Sequence, residues 1–251
     1  MTSQRSSAGG VSTDKLLERR KLVARTGIVH ALDVDNLSRA ILIAKSVEPY
    51  VDAIKVSWPA VMELGCKEVF YEVRRSVNLP IIADFKVADI PEISSRIVQK
   101  AIKLGADGVI LQGFVGEESM KACIEEAHRY NGITFVVTEM SHSGAELFMQ
   151  PVGAKIAELA RELGSDGIIA PATRPERTRE YRRIVGKDLI IMSPGVGAQG
   201  ADVGDAIKAG ADFEVIGRKI YEAENPGEAA KKLSEKMSLV RMELPSSRLS
   251  S

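Results

Sequence analysis

The chain has 251 residues, its 34 Lys and Arg balance 34 Asp and Glu, and 45% of it is hydrophobic. A formal charge of zero excludes a general binder of nucleic acid or of anionic membrane, since such proteins need surplus cations to displace counterions. The apolar fraction excludes a disordered chain, and the length suits one large α/β barrel or two small domains.

In chain order, residues 1–26 hold a Ser- and Gly-containing start and then a charged run from Asp14 to Lys21, without the apolar core of a signal peptide. They are expected to form an extension, disordered and then briefly helical. Short apolar runs follow at Gly27 to Asp33, Ala53 to Ser57, Pro80 to Lys86, Gly108 to Gln112, Thr134 to Glu139, Gly167 to Ala170, Leu189 to Ser193 and Phe213 to Gly217. Each has strand length, and amphipathic helical stretches such as Pro91 to Leu104 separate them. A weak repeat, seen in Lys103 to Gly108, Glu162 to Gly167 and Lys208 to Phe213, ends a helix on a Gly and starts a strand directly after it. Eight such units predict a single-domain α/β fold, the closed (β/α)₈ TIM barrel, over residues 27–241, with a doubly wound open sheet as the alternative. Residues 242–251 are expected to be a flexible tail, Ser-rich from Pro245.

Cys66 and Cys123 are too few for a disulfide framework, and no Cys/His group has zinc spacing, which predicts a reduced cytoplasmic protein with both thiols as small core residues on helices. No window approaches the roughly 18 apolar residues of a membrane span, so no membrane partner is expected.

In a (β/α)₈ barrel the chemistry stands at the carboxyl ends of the strands. Strand one ends in Asp33, strand two carries Lys55, and strand three carries Asp84 and Lys86, which lie two apart and so share a side. One such pair is most simply a salt bridge closing the barrel mouth; four charged groups on three consecutive strands point to a site that donates a proton to a developing carbanion. Later, Ser193 to Gly200 and Gly217-Arg218 follow strands seven and eight, where glycines let backbone N–H groups approach an anion and an Arg adds a two-pronged contact. The ligand is therefore expected to carry a phosphate. The loop from Ser141 to Ser143 offers hydroxyl and imidazole groups to a base or sugar, or is an ordinary turn. Thr173 to Arg177 reads as a helix start with an early Pro and Thr173 as its cap.

The run Asp84-Phe85-Lys86-Val87-Ala88-Asp89-Ile90-Pro91, with Lys55 before it and Pro194-Gly195-Val196-Gly197-Ala198-Gln199 and Gly217-Arg218 after it, resembles the archaeal-type orotidine 5'-phosphate decarboxylases from about Gly27 to about Lys236. The resemblance implies cofactor-free loss of carbon dioxide from orotidine 5'-monophosphate, without a metal, in a homodimer. It implies that Lys86 protonates C6 of the pyrimidine, that Asp84 sits against the substrate carboxylate, and that Lys55 bridges this network and the ribose. Asp89 would enter the partner's site with Ile90 among the substrate contacts. Asp33 would bind a ribose hydroxyl, Ser141 the pyrimidine, Gln199 would help close the loop, Gly217 and Arg218 would hold the phosphate, and Pro194 and Val196 would line the site. Ile93, Gln112 and Ser143 depart from the pattern expected of relatives. Two rivals are weighed: a magnesium-dependent sugar-phosphate enzyme sharing the Asp-x-Lys-x-x-Asp motif, disfavoured because Lys55 would repel the metal, and a silent phosphate-ligand sensor, which needs no such cluster of charge.

Overall fold

The computed structural model describes residues 22–197 and 199–244. The expectations for the N-terminal extension up to Lys21 and for the tail from Pro245 lie outside the described residues. All eight apolar runs form strands: β1 (Ile28–Ala31), β2 (Ala53–Ser57), β3 (Ile81–Val87), β4 (Gly108–Gln112), β5 (Ile133–Val137), β6 (Gly167–Ile169), β7 (Ile190–Pro194) and β8 (Phe213–Ile216). Each pairs in parallel with the next, and β8 returns to β1, with Val29 opposite Val215. This closed barrel removes the open-sheet alternative.

Parallel strands need crossovers, and helices supply them. These are α1 (Leu37–Val47), α2 (Trp58–Leu64), α3 (Cys66–Ser76), α4 (Pro91–Lys103), α5 (Glu117–Arg129), α6 (Ala145–Phe148), α7 (Gln150–Glu162), α8 (Pro175–Val185) and α9 (Asp205–Ala209), while α10 (Arg218–Tyr221) and α11 (Pro226–Met242) follow the last strand. Asn36 caps α1 by accepting from Arg39 N at 2.9 Å, and proline opens α4, α8 and α11, where its missing N–H costs no helical bond. Among the described residues no helix is long and apolar enough to cross a membrane.

Strand parity divides the core into two shells. Val29, Ile82, Ile110, Phe135, Ile169, Met192 and Phe213 pack together inside the barrel. Their neighbours Ile28, Ile81, Val109, Val136, Ile168 and Ile191 face outward and pack with Ile43, Val73, Val98 and Ile124 of the helices. Cys123 joins that outer shell, as expected, whereas Cys66 is only half-buried at the start of α3.

The repeat has a second purpose besides its glycines, whose φ values of 118° at Gly105, 76° at Gly164 and 114° at Gly210 are left-handed. The Asp that follows accepts a backbone N–H at the start of the preceding strand. Asp107 takes Ile81 N at 2.8 Å, Asp166 takes Thr134 N at 2.8 Å, and Asp212 takes Ile191 N at 2.7 Å. Asp52, before β2, does the same for Gly27 N at 2.7 Å. These carboxylates lie before the even strands and tie the floor of the barrel together.

Candidate active site

Continuing the inward rows toward the rim replaces apolar residues with polar ones. Val29 and Ala31 lead to Asp33, Ala53 to Lys55 and Ser57, and Ile82 to Asp84. Asp84 is buried and lies between two ammonium groups: Lys55 Nζ is 2.7 Å from Oδ2 and Lys86 Nζ is 2.6 Å from Oδ1. Ser57 Oγ donates to Asp33 at the edge of this group.

Lys86 reaches its place through a kink. Its φ is 43°, a left-handed value uncommon for a side chain of this size, and the β3–β4 register shifts between Ala83 and Val87. Such a conformation costs about 1 kcal/mol or more and persists where the surroundings impose it, typically at functional sites. The lysine it presents is partly open to the cavity, with 34% of its side chain exposed against 8% for Lys55 and Asp84.

Burial alone would push the Asp84 carboxyl up, but Lys55 and then Lys86 outweigh it and hold the group below its usual range. Lys55 shows the converse: burial would lower it, yet Asp84 and Asp33 raise it above the ordinary lysine value. The centre therefore keeps a dry carboxylate and a dry ammonium both charged.

These residues form one side of a cavity of about 260 Å³. Pro194, Gly195, Val196, Gln199, Gly217 and Arg218 form the other, and Ser141 lies between the two walls. Ten of the twelve residues to which the resemblance gives a role thus line one space. At Gly195, φ is 110° and a Cβ would sit 3.0 Å from Thr173 Cγ2 and 3.2 Å from Ser141 Cβ, so loops after β5, β6 and β7 meet there without room for a side chain.

Two residues of the motif lie elsewhere. Asp89 and Ile90 are exposed and do not line this chain's cavity. The backbone beneath them is nonetheless fixed, because Ser119 Oγ and Ser94 Oγ donate to the Asp89 carbonyl at 2.6 and 2.9 Å.

One reading is corrected. Thr173 does not cap α8, since Arg174 holds the cap position without a side-chain bond; Thr173 Oγ1 instead donates to the Ser141 carbonyl at 2.8 Å, fixing one loop of the site to another. Below it lies a cluster that sequence reasoning missed. Glu139 is fully buried, accepts from Arg174 Nε at 2.6 Å, Arg177 Nε at 2.9 Å and Tyr181 Oη at 2.7 Å, and so braces the loop that carries Ser141. Although burial would raise its carboxyl, these donors hold it low. The apolar lining of Ile110, Ile169, Met192 and Val215 was also missed, although strand parity points to it. Of the departures, Gln112 is buried with Nε2 3.9 Å from Met140 Sδ, Ile93 is half-buried, and Ser143 is exposed.

Among the described residues no group of three or more His, Cys, Asp or Glu side chains is arranged to hold a metal ion. At the mouth Asp33 is engaged by Ser57 and Asp84 by two lysines.

With this geometry in hand, comparison with known proteins decides the family. The sequence model of the Orotidine 5'-phosphate decarboxylase / HUMPS family matches residues 26–233. The chain belongs to that family. An orotidine 5'-phosphate decarboxylase of Methanosarcina mazei is 49% identical over 212 residues, which cover 84% of this chain and 95% of that protein. The structure of the orotidine 5'-monophosphate decarboxylase of Methanocaldococcus jannaschii complexed with inhibitor BMP superposes with a TM-score of 0.80 at 44% identity, covering 84% of this chain and 98% of the other. The Sulfolobus solfataricus enzyme gives 0.77 at 31% identity, covering 86% and 99%. The region shared with this decarboxylase family contains every charged residue of the cavity.

Proposed function

We propose that this chain decarboxylates orotidine 5'-monophosphate to uridine 5'-monophosphate, the last step of de novo pyrimidine nucleotide biosynthesis. The observation that carries the reading is Asp84, buried between Lys55 and Lys86 in a cavity whose far wall holds Gly217 and Arg218. The decarboxylases named above support it. Within the family, a sugar-phosphate reaction that relies on a divalent metal is disfavoured, because the Lys55 ammonium beside Asp84 repels such an ion.

In the proposed reaction the bond between C6 and the carboxylate breaks, carbon dioxide leaves, and the electron pair stays on C6. The Lys86 ammonium stabilises that charge as it develops and then gives its proton to C6; water restores the proton to the amine. Fixed charge aimed at the reacting atom is commonly the largest catalytic contribution, and no metal or organic cofactor is required here. Asp84 orients both lysines and faces the leaving carboxylate. Asp33 and Lys55 bind the ribose, Ser141 the pyrimidine, and Gly217 with Arg218 the phosphate, while Gln199, Pro194 and Val196 cover the nucleotide. Binding energy from the distant phosphate then helps organise the site.

The working unit of this reading is a homodimer in which Asp89 and Ile90 of one copy complete the site of the other. Their exposure supports it, as does the apolar rim made by Trp58, Met62, Ile90 and Phe114, all exposed and all placed after β2, β3 and β4. The free thiols of Cys66 and Cys123 support a reducing cytoplasmic setting.

The test is the ultraviolet spectrum of orotidine 5'-monophosphate mixed with the purified protein in EDTA. Conversion to the uridine 5'-monophosphate spectrum is expected. Tight nucleotide binding with an unchanged spectrum would replace this reading with a silent binder.

A further inference from the structure

Glu214 is a charged residue in the wrong place for an ordinary barrel strand. It stands on the outward row of β8, fully buried, next in register to Ile28 and two residues before Ile216, both apolar members of the outer core. An aliphatic side chain would fill such a position at no cost, whereas a buried carboxylate is costly unless it is well bonded. Its bonds go to one place. Oε1 accepts from Gly204 N and Ala206 N, each at 3.0 Å, and Oε2 accepts from Gly204 N at 2.9 Å.

Gly204 closes the segment that begins at Gly195 and carries Val196 and Gln199 into the cavity. That segment folds on itself, with Gly197 N donating to the Ala201 carbonyl at 2.8 Å and Gly200 N to the Gly197 carbonyl at 3.1 Å. Its ends are buried at Val196 and Val203, and Gln199 and Gly200 are exposed. On the other side of the bond, Glu214 lies three residues before Gly217 and four before Arg218 on the same run of chain. One carboxylate thus joins the base of the covering loop to the strand that delivers the arginine.

We infer that Glu214 is a positioning residue for the phosphate grip, setting the Gly195–Gly204 loop at a fixed height against Gly217 and Arg218. The inference rests on the nucleotide reading above for the identity of the ligand, while the tie itself is independent of it. Burial pushes the Glu214 carboxyl up to about 7 against the opposing pull of the Gly204 and Ala206 N–H groups, as expected of a group held away from water.

The experiment compares Glu214→Gln, which keeps the size and one acceptor oxygen, with Glu214→Leu, which keeps the bulk and removes both. Amide hydrogen exchange of residues 195–206 in the unliganded protein is expected to rise in both, more in the Leu variant. The dissociation constant of uridine 5'-monophosphate is expected to rise at least fivefold, with that of uridine changed less than twofold. Equal weakening of nucleotide and nucleoside, or unchanged exchange at Gly204 and Ala206, would overturn the inference. If one variant does not fold, the other carries both readouts. Should the wild-type protein bind uridine 5'-monophosphate without turning over orotidine 5'-monophosphate, the proposed reaction fails while the exchange and binding comparison still judges Glu214.

Discussion

A carboxylate as enclosed as Asp84 stays ionised only because two ammonium groups bond to its two oxygens, and one of them, Lys86, keeps an open side toward the cavity. Removing Lys86 therefore deletes the proposed proton donor, and leaves Lys55 as a partner for Asp84. Lys86→Ala is expected to lower kcat by about 10³-fold or more while uridine 5'-monophosphate binding remains measurable by titration; turnover near the wild-type rate would refute the assignment. Glu214 makes a pH prediction of definite sign. Its folded-state value of about 7 lies above the ordinary 4.5, so the folded protein keeps a proton that the unfolded chain releases between those values. The linked stability is full below pH 4.5 and is lost as pH rises through 7. In urea titrations across that window, wild type should lose about 3 kcal/mol relative to Glu214→Gln, whose amide does not titrate. A constant difference between the two proteins would contradict this. The two were not equally legible in the sequence: Asp84 and Lys86 declare themselves by their spacing, whereas Glu214 reads as one polar letter in an apolar run, and only the packing of Gly204 against it gives it a purpose.

At the scale of elements, strand length and parity made the eight strands legible to within a residue or two of their ends, and the Gly of the repeat marked the helix stops. The Asp of the repeat carried information that local reasoning did not use, because its partner is the start of the preceding strand, 26 residues earlier for Asp107 and Ile81. Arg74 completes that anchor from α3, and both side chains are almost wholly buried. Asp107→Ala leaves the guanidinium and the Ile81 N–H without this acceptor, and should cost about 3–5 kcal/mol in denaturant unfolding with KM unchanged, since the change lies at the floor of the barrel. An altered KM at unaltered stability would show the floor and rim to be coupled. The Thr173 misreading has the same origin. A Thr two residues before a helix-opening Pro has the look of a cap, but its hydroxyl goes to Ser141, which is 32 positions away and adjacent only in the closed barrel. Glu139 is similar, for its partners Arg174, Arg177 and Tyr181 arrive from beyond the next strand.

For the whole molecule, one chain supplies Asp33, Lys55, Asp84 and Lys86 to its own cavity and holds Asp89 and Ile90 outside it. The backbone of Asp89 is nevertheless secured by two serines, which suits a residue offered to a second copy. In the proposed homodimer the charged array is complete only when two chains share it. Subunits carrying Lys86→Ala and subunits carrying Asp89→Ala, each inactive alone, are mixed under conditions that exchange protomers, and decarboxylation is followed by absorbance. Each heterodimer then holds one site with both residues intact, so activity should return to about a quarter of wild type for random pairing. Heterodimers that form but stay inactive would show that Asp89 serves its own chain or none.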